Sequence, residues 1–453
     1  MGRKPVLVGV DVGTSRVKAV AFDLAGSALA SADRSTPWIR ARGLTDMDPH
    51  EMARTVRDVA GRVCLAIDDC EIVGLGVTGM AEAGVLLDGA DRPLAPIFAW
   101  HDPRGDVEMV NREIGAETFQ RTVGMPLDTQ PSLSKLLWLR QHVPNTQRAM
   151  RFLSVPEWVV FSLGGSPVSE LSLASRTGLL DIASAASWPA AEALLERNLL
   201  SELVVAGAPA GTAKGPDLPV PLRGAALIVA GHDHQTAAFA VGAVRAGCLL
   251  DSLGTAEALV RCVEGPVDPA VVGRLAAQRI TTGLGVVPER YSVLAGLRTG
   301  LVLEHIARMI GADTQEARIA LGDAALSVNL SALPFAVHVD AEGGFMFGPI
   351  GDGLSPAVVW AAAVRDLGLL SARSAEHMSV ELGPHQQVVL AGGWIRNPAV
   401  RAAKLRQYAT STISSVDEAG AVGAALLAGV AAGVLAPPRA DAPPRFREPA
   451  GAR

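Results

Sequence analysis

The sequence predicts an α/β protein built in two related halves, and two observations carry that reading. Strand-like and helix-like runs alternate along both halves of the chain. One local pattern also occurs twice. Asp11-Val12-Gly13-Thr14-Ser15 lies between two runs rich in Val and Ala, and about half a chain later Asp251 precedes Gly254-Thr255 between apolar runs. Each copy reads as a β-hairpin that presents an acid, a glycine and hydroxyls near its tip. Such an echo is expected of a duplicated domain. If both tips face a shared cleft, their backbone N–H groups and hydroxyls would hold a polyphosphate from two sides.

The elements follow in order. After the hairpin over Val6 to Asp23, the pattern predicts a helix over Pro49 to Asp68 and a strand over 71–79. A turn falls at Asp88-Gly89, and residues 107–150 read as helices separated by Gly124 and Pro126. A Gly/Pro/Ala-rich connection over 206–224 separates the halves, so domains are expected over 1–224 and 225–436. The second half opens on the buried strand AALIVAGHD and a helix, then the second hairpin. Helices near 296–325 and 355–380, the strand VVLA and a terminal helix complete it. Residues 437–453, rich in Pro and Arg, read as a disordered tail.

Composition narrows the function classes. The chain has 453 residues, 49% hydrophobic and 19% charged, ordinary for a soluble globular protein with two or three cores. A net charge of −6 argues against broad attraction to nucleic acid. The four cysteines show no CxxC spacing and read as thiols in a reducing compartment. Arg3-Lys4 before PVLVGV resembles the start of a signal peptide, but Asp11 interrupts the apolar run too early. Residues 419–438 carry no charge, yet they are mostly Ala and Gly, which suits a helix packed tightly on a sheet better than a membrane span. A cytoplasmic protein is expected, without nucleic-acid or membrane partners, and with a homodimer as the open option for assembly.

The motifs have bland and chemical readings. A lone Asp-x-Gly-Thr is an ordinary hairpin turn. Two copies favour phosphate binding: glycine admits close backbone approach, Thr14 and Ser15 add hydroxyls, and Asp11 can hold Mg²⁺ directly or through water. No GxxxxGK[ST] occurs, which excludes a P-loop. Gly74 to Gly79 matches GxGxxG, but no helix and no suitably placed acid follow, so these glycines are expected to be structural. Asp233 stands between a strand and a helix, where it is either an N-cap or a base for an attacking hydroxyl. His232 and His234 flank it without a third metal ligand, which argues against zinc. Trp100-His101-Asp102-Pro103-Arg104 reads equally as a turn with an Asp–Arg pair or as a polyol site, and Glu82 is a further polar point in apolar surroundings. Gly392-Gly393 lies between a strand and a helix, where bare backbone leaves space for a base or ribose.

Taken in order, VGVDVGTSRVKAVAFD, GVTGMAEAGVLLD, WHDPR, AGHDHQ, LGTAEA, AGGWIRNP and EAGAVGAALLAG resemble the FGGY carbohydrate kinases, a branch of the actin-like ATPase superfold. The resemblance implies two ribonuclease-H-like domains with mixed sheets flanked by helices and an active-site cleft between them. It implies ATP and Mg²⁺, with a phosphoryl group passed to a sugar or polyol hydroxyl, a ketose such as a pentulose being expected. Asp11, Gly13 and Thr14 match the first phosphate motif, Gly254 and Thr255 the second, and Gly392, Gly393 and Asn397 the adenosine turn. Asp233 falls on the catalytic base, with Asp11 and Asp233 as the magnesium carboxylates. Glu82, Trp100, Asp102, Arg104 and His234 fall where relatives contact substrate. The segment Ser169 to Ser175 resembles T-D-x-S-x-A-S with Glu170 in place of Asp. Met80-Ala81-Glu82-Ala83 replaces the Q-M-H-G of many xylulokinases, and its acid is closer to glycerol kinase.

Overall fold

The Val- and Ala-rich runs around Gly13 do form a hairpin: Lys4–Val12 pairs antiparallel with Arg16–Asp23. This computed structural model describes residues 3–215, 217–333, 336–339, 344–348, 354–437 and 446. The hairpin belongs to a six-stranded sheet in the order Pro209–Thr212, Ala226–His232, Cys70–Gly79, Lys4–Val12, Arg16–Asp23, Ala28–Ser35. Its three inner neighbours Ala226–His232, Cys70–Gly79 and Lys4–Val12 run parallel, and the hairpin pairs are antiparallel, so the sheet is mixed. Alternation along Lys4–Val12 sorts the core. Val6, Val8 and Val10 join a cluster with Met52, Val56, Val59 and Val63 of the helix Pro49–Leu65. Leu7 points to the other face, against Ala421, Ala424, Ala425 and Ala428. Asp48 caps the helix by accepting the His50 N–H at 2.8 Å, and Pro49 fills its first turn.

The uncharged terminal segment is a helix, Ala419–Ala431, laid directly on this sheet. A Cβ at Gly9 would overlap the Ala421 carbonyl, one at Gly76 the Ala424 carbonyl, and one at Gly74 would come 2.9 Å from the Ala428 oxygen. Gly74 and Gly76 of the GxGxxG match thus serve close helix packing, and Gly79 the close approach of Val12 on the neighbouring strand. They lie within a strand, and another strand, Gly84–Leu87, comes next. Gly76→Ala should therefore destabilise the fold by about 1–3 kcal/mol or more, because a backbone carbonyl cannot swing aside. Chemical denaturation measures this, and an unchanged midpoint would contradict the packing.

A second sheet is built around the second Gly-Thr pair. Cys248–Leu253 pairs antiparallel with Glu257–Glu264 and parallel with Gln387–Ala391, which pairs parallel with Ser411–Ile413. The helices Thr299–Met309, Gln315–Ala325, Pro356–Leu382 and Pro398–Gln407 accompany it. Both hairpins and both helix-flanked mixed sheets are the expected α/β architecture.

The chain forms two compact units, residues 1–245, 263–292 and 418–453 in one, and 246–262 and 293–417 in the other. The expected division at residue 224 was sequential, whereas these units interleave. The reasons are physical: Ala226–His232 hydrogen-bonds to Cys70–Gly79, and the terminal helix packs on the first sheet. The tail expected over 437–453 lies outside the described residues except for Pro437 and Phe446, whose ring centroid is 5.5 Å from that of Phe22. Among the described residues no helix is long and apolar enough to cross a membrane.

Candidate active site

The first hairpin tip is braced from outside. Gly13 N–H closes the turn on the Arg16 carbonyl at 3.0 Å, and Thr36 Oγ1 donates to the Gly13 carbonyl at 2.7 Å. The indole of Trp38 donates to the Thr14 carbonyl at 2.7 Å, and that of Trp100 to Thr14 Oγ1 at 3.0 Å. With its carbonyls taken, the tip keeps the Thr14 and Ser15 amides without a hydrogen-bond acceptor among the described residues. These are the groups an anion would need.

Asp11 is the penultimate residue of the first strand, beside this tip. Its Oδ1 is buried and has no hydrogen-bond partner, and its carboxylate lies against Gly420, where a Cβ would overlap it. Asp233 is the first residue of the helix Asp233–Ala240 that follows Ala226–His232. It is not the N-cap, since that position falls on His232. Its Oδ1 accepts the His234 N–H at 2.6 Å and lies 3.1 Å from His232 Nδ1. Behind it, Ser172 Oγ donates to Glu170 Oε2 at 2.6 Å and accepts the His232 N–H at 3.0 Å, at a strand end where Gly231 has φ +93°.

The two aspartates divide their charge. Burial, then the charges of Asp233 and Glu418, push the Asp11 carboxyl up to about 8, with Lys18 opposing them. Burial also works against ionised Asp233, but His234 and His232 outweigh it and hold this carboxyl below its ordinary value. Burial lowers the pKa of His234, which Asp233 and Glu82 partly offset. Of the two, Asp11 is therefore the more readily protonated and Asp233 the more readily ionised.

Glu82 is placed close enough to share this electrostatic environment with Arg176 and His234. It is 5% exposed and adopts φ +57°, a conformation that non-glycine residues seldom keep without cause. Its Oε1 accepts Arg176 Nε at 2.7 Å, Arg176 Nη2 and Gln130 Nε2 at 3.1 Å. Arg176 comes one residue after the recognised Ser169 to Ser175 segment and had no sequence reading of its own. A cavity of about 20 Å³ bordered by Glu82, Phe98, Ser132 and Lys135 is water-sized, too small for a sugar.

The Trp100 to Arg104 cluster divides. Trp100 reaches the phosphate hairpin through Thr14. Asp102 is fully buried, and its two oxygens accept Arg104 Nε at 2.7 Å, Arg104 Nη2 at 2.8 Å and the Thr45 N–H at 2.7 Å. Arg104 also reaches Asp46 at 3.1 Å and lies 3.5 Å over the Phe98 ring. This pair holds the turn together, and of its side-chain polar atoms Arg104 Nη1 is left without a hydrogen-bond partner among the described residues.

In the second unit, Gly254 lies at the hairpin tip, its N–H closing on the Ala256 carbonyl at 2.9 Å, with Thr255 beside it. A Cβ at Gly300 would overlap the Gly254 carbonyl, so the helix Thr299–Met309 touches the tip backbone. Gly392 has φ +92° and is pressed against the Leu253 backbone, while Gly393 faces open space. Those two are positioned as an exposed turn with bare backbone. Asn397 is not exposed there. It caps Pro398–Gln407 through the Val400 N–H at 3.2 Å, accepts Trp360 Nε1 at 3.3 Å and donates to the Arg318 carbonyl at 2.6 Å. Under the tip, Lys404 donates to Glu257, to Asp251 Oδ2 at 2.8 Å and to Ser371 Oγ at 2.7 Å, and Tyr408 donates to Asp251 at 2.9 Å.

The chain is 32% identical over 275 residues to a glycerol kinase of Methylorubrum extorquens, 55% of this chain and 53% of that one. It spans about half the length of the curated relatives it matches. Its fold is that of a gluconate kinase from Lactobacillus acidophilus, with TM-score 0.83, 18% identity, and coverage of 95% of this chain and 90% of the other. A Plasmodium falciparum glycerol kinase with ADP gives TM-score 0.82 at 17% identity, covering 95% and 90%. These neighbours have the actin-like ATPase fold. The family model for the N-terminal domain of the FGGY family of carbohydrate kinases matches residues 6–240, over half the sequence, and the chain belongs to that family.

Proposed function

We propose that this chain transfers the terminal phosphoryl group of ATP to a hydroxyl of a small sugar or polyol. The observation that carries the reading is Asp233: an ionised carboxylate at a strand-to-helix turn, beside a second aspartate with an orphaned oxygen and near Glu82 and His234. In the proposed reaction the acceptor oxygen bonds to phosphorus while the bond to the ADP oxygen breaks. Asp233 takes the hydroxyl proton. Phosphoryl transfer depends mainly on positioning and charge neutralisation, so a weak base suffices. The Thr14 and Ser15 amides would hold phosphate, with the Gly254-Thr255 tip and the Gly392-Gly393 turn as the nucleotide-binding parts of the second unit. Proteins of this fold are named for gluconate and for glycerol. The family resemblance carries the expectation of a ketose such as a pentulose, with glycerol or a tetritol as the alternative. The 32% identical glycerol kinase favours a shorter polyol, glycerol or a tetritol. Enzyme-coupled measurement of ADP release over glycerol, tetritols, pentuloses and hexuloses tests the reading. Release with one or more of these, above the rate without acceptor, supports it, and equal release with and without every acceptor would overturn it.

The donors present fit Mg²⁺. Asp11 offers a buried oxygen with no partner and Asp233 a charge. Among the described residues no group of three acids, histidines or cysteines forms a protein-only metal site. That suits an ion that keeps water and phosphate oxygens and takes one or two carboxylates. When bound, the ion would neutralise charge on the phosphates. Asp11 and Asp233 would hold it. Because the Asp11 carboxyl is pushed up to about 8, its proton must leave as the ion binds. Affinity for Mg²⁺-nucleotide should therefore rise with pH until about 8 and flatten above it. Calorimetry in buffers of different ionisation enthalpy should count about one proton released near neutrality. A pH-independent affinity with no proton release would contradict the assignment.

A further inference from the structure

Glu82 and Arg176 are joined more completely than two independent substrate contacts would be. Two Arg176 nitrogens converge on one Glu82 oxygen, and the third, Nη1, donates to Thr281 Oγ1. The guanidinium is thus committed on every nitrogen, and it is 5% exposed. Lys135, the other buried cation near Glu82, is committed too, donating to the carbonyls of Trp100, Thr129 and Gln130. The remaining Glu82 oxygen, Oε2, receives no donor among the described residues and is not buried without a partner. Glu82 lies three residues past Gly79, which pairs in register with His232, the neighbour of Asp233, so it stands at the same end of the sheet as that carboxylate. An arginine fork is a ready seat for a carboxylate. Here that seat holds a carboxylate of the protein itself, on a backbone kept at φ +57°.

We propose that the Glu82–Arg176 pair sets the charge class of the acceptor: Glu82 occupies the fork that a sugar acid would use, so the site takes uncharged polyols or ketoses and rejects aldonates. Glu82 Oε2 accepts a substrate hydroxyl, and Arg176 is a positioning residue that holds Glu82 in its left-handed conformation. An aldonate would meet the Asp233 and Glu82 side chains while the buried cations beside Glu82, Arg176 and Lys135, are already committed among the described residues, and like charges in a buried site disfavour binding strongly. The inference rests on the kinase reading above and deepens it.

The test uses glycerol, erythritol, xylulose, threonate and gluconate as probes, with ADP release and direct calorimetric binding as separate readouts. The wild-type chain should turn over one or more neutral compounds and bind neither aldonate. Glu82→Gly suits the left-handed backbone and vacates the fork. It should lower kcat/KM on the neutral acceptor by about a hundredfold and gain aldonate binding. That gain should vanish in Glu82→Gly/Arg176→Met, which identifies Arg176 as the cation. Melting curves confirm that each variant is folded. Wild-type use of aldonates as good as of neutral compounds would overturn the proposal, as would a folded Glu82→Gly that binds no aldonate. If the wild type released ADP independently of every acceptor, the kinase reading would fall, while the binding comparison would still decide the role of the pair.

Discussion

Asp233→Asn should lower kcat by about 10²–10⁴-fold while the affinity for nucleotide measured without Mg²⁺ stays within a few-fold. The substitution keeps the shape of the side chain and an oxygen for the His234 N–H, which the structure places at 2.6 Å. What it removes is the charge that accepts the hydroxyl proton. His234 and His232 hold the Asp233 carboxyl below its ordinary value despite burial, so wild-type activity should show no acid limb from this group across the neutral range. In the variant, stopped-flow single turnovers should show slow chemistry rather than slow release. Wild-type rates in a folded Asp233→Asn protein would remove the base from the mechanism. Lost binding of nucleotide without Mg²⁺ would instead assign Asp233 to the phosphate contacts.

Lys404→Met should cost about 3–5 kcal/mol of stability, because it leaves two buried carboxylates without their cation. Asp251 and Glu257 are fully buried, and one oxygen of each already lacks a hydrogen-bond partner. Burial and then Glu257 push the Asp251 carboxyl up to about 7, with Lys404 and Tyr408 pulling it back. The two carboxylates in turn hold the Lys404 ammonium above its usual value in spite of burial. Without Lys404 the folded state would bind protons that the unfolded chain releases, so the loss should grow as pH rises through neutrality. Glu257→Gln in the same chain should recover part of it. Urea denaturation measures both effects, and a loss that is small and independent of pH would contradict this picture of the cluster. The lysine also ties the hairpin strands to the helix that follows Gly392-Gly393. The variant should therefore weaken nucleotide binding even where it remains folded.

Much of the fold was legible because period and composition agree. Alternating Val at 6, 8 and 10 gives one sheet face, and glycines at 9, 74 and 76 against an Ala-Gly helix give the other. Asp233 was legible as a polar residue at the junction of a buried strand and a helix. Its freedom from capping was not, since one residue decides which position is the cap. Asp102 and Arg104 were balanced between a structural pair and a polyol site. The structure pairs them with each other and with Thr45 and Asp46, which no local spacing could reveal. Asn397 looked like a nucleotide contact and is held inside by Val400, Trp360 and Arg318, partners brought together only by tertiary packing. Arg176 and Lys404 went unread for different reasons. Arg176 meets Glu82 across 94 positions, beyond any motif. Lys404 did leave a signal, four residues after buried Val400 on the apolar face of its helix, where a lysine needs a partner.

The central claim is that ATP is consumed only by transfer to an acceptor hydroxyl. Following ATP, ADP, inorganic phosphate and phosphorylated product together by ³¹P NMR tests it most directly. With the preferred neutral acceptor, one phosphorylated product should appear for each ADP, with little inorganic phosphate and little ATP loss when the acceptor is left out. ADP and inorganic phosphate rising together at the same rate with or without acceptor would contradict the account.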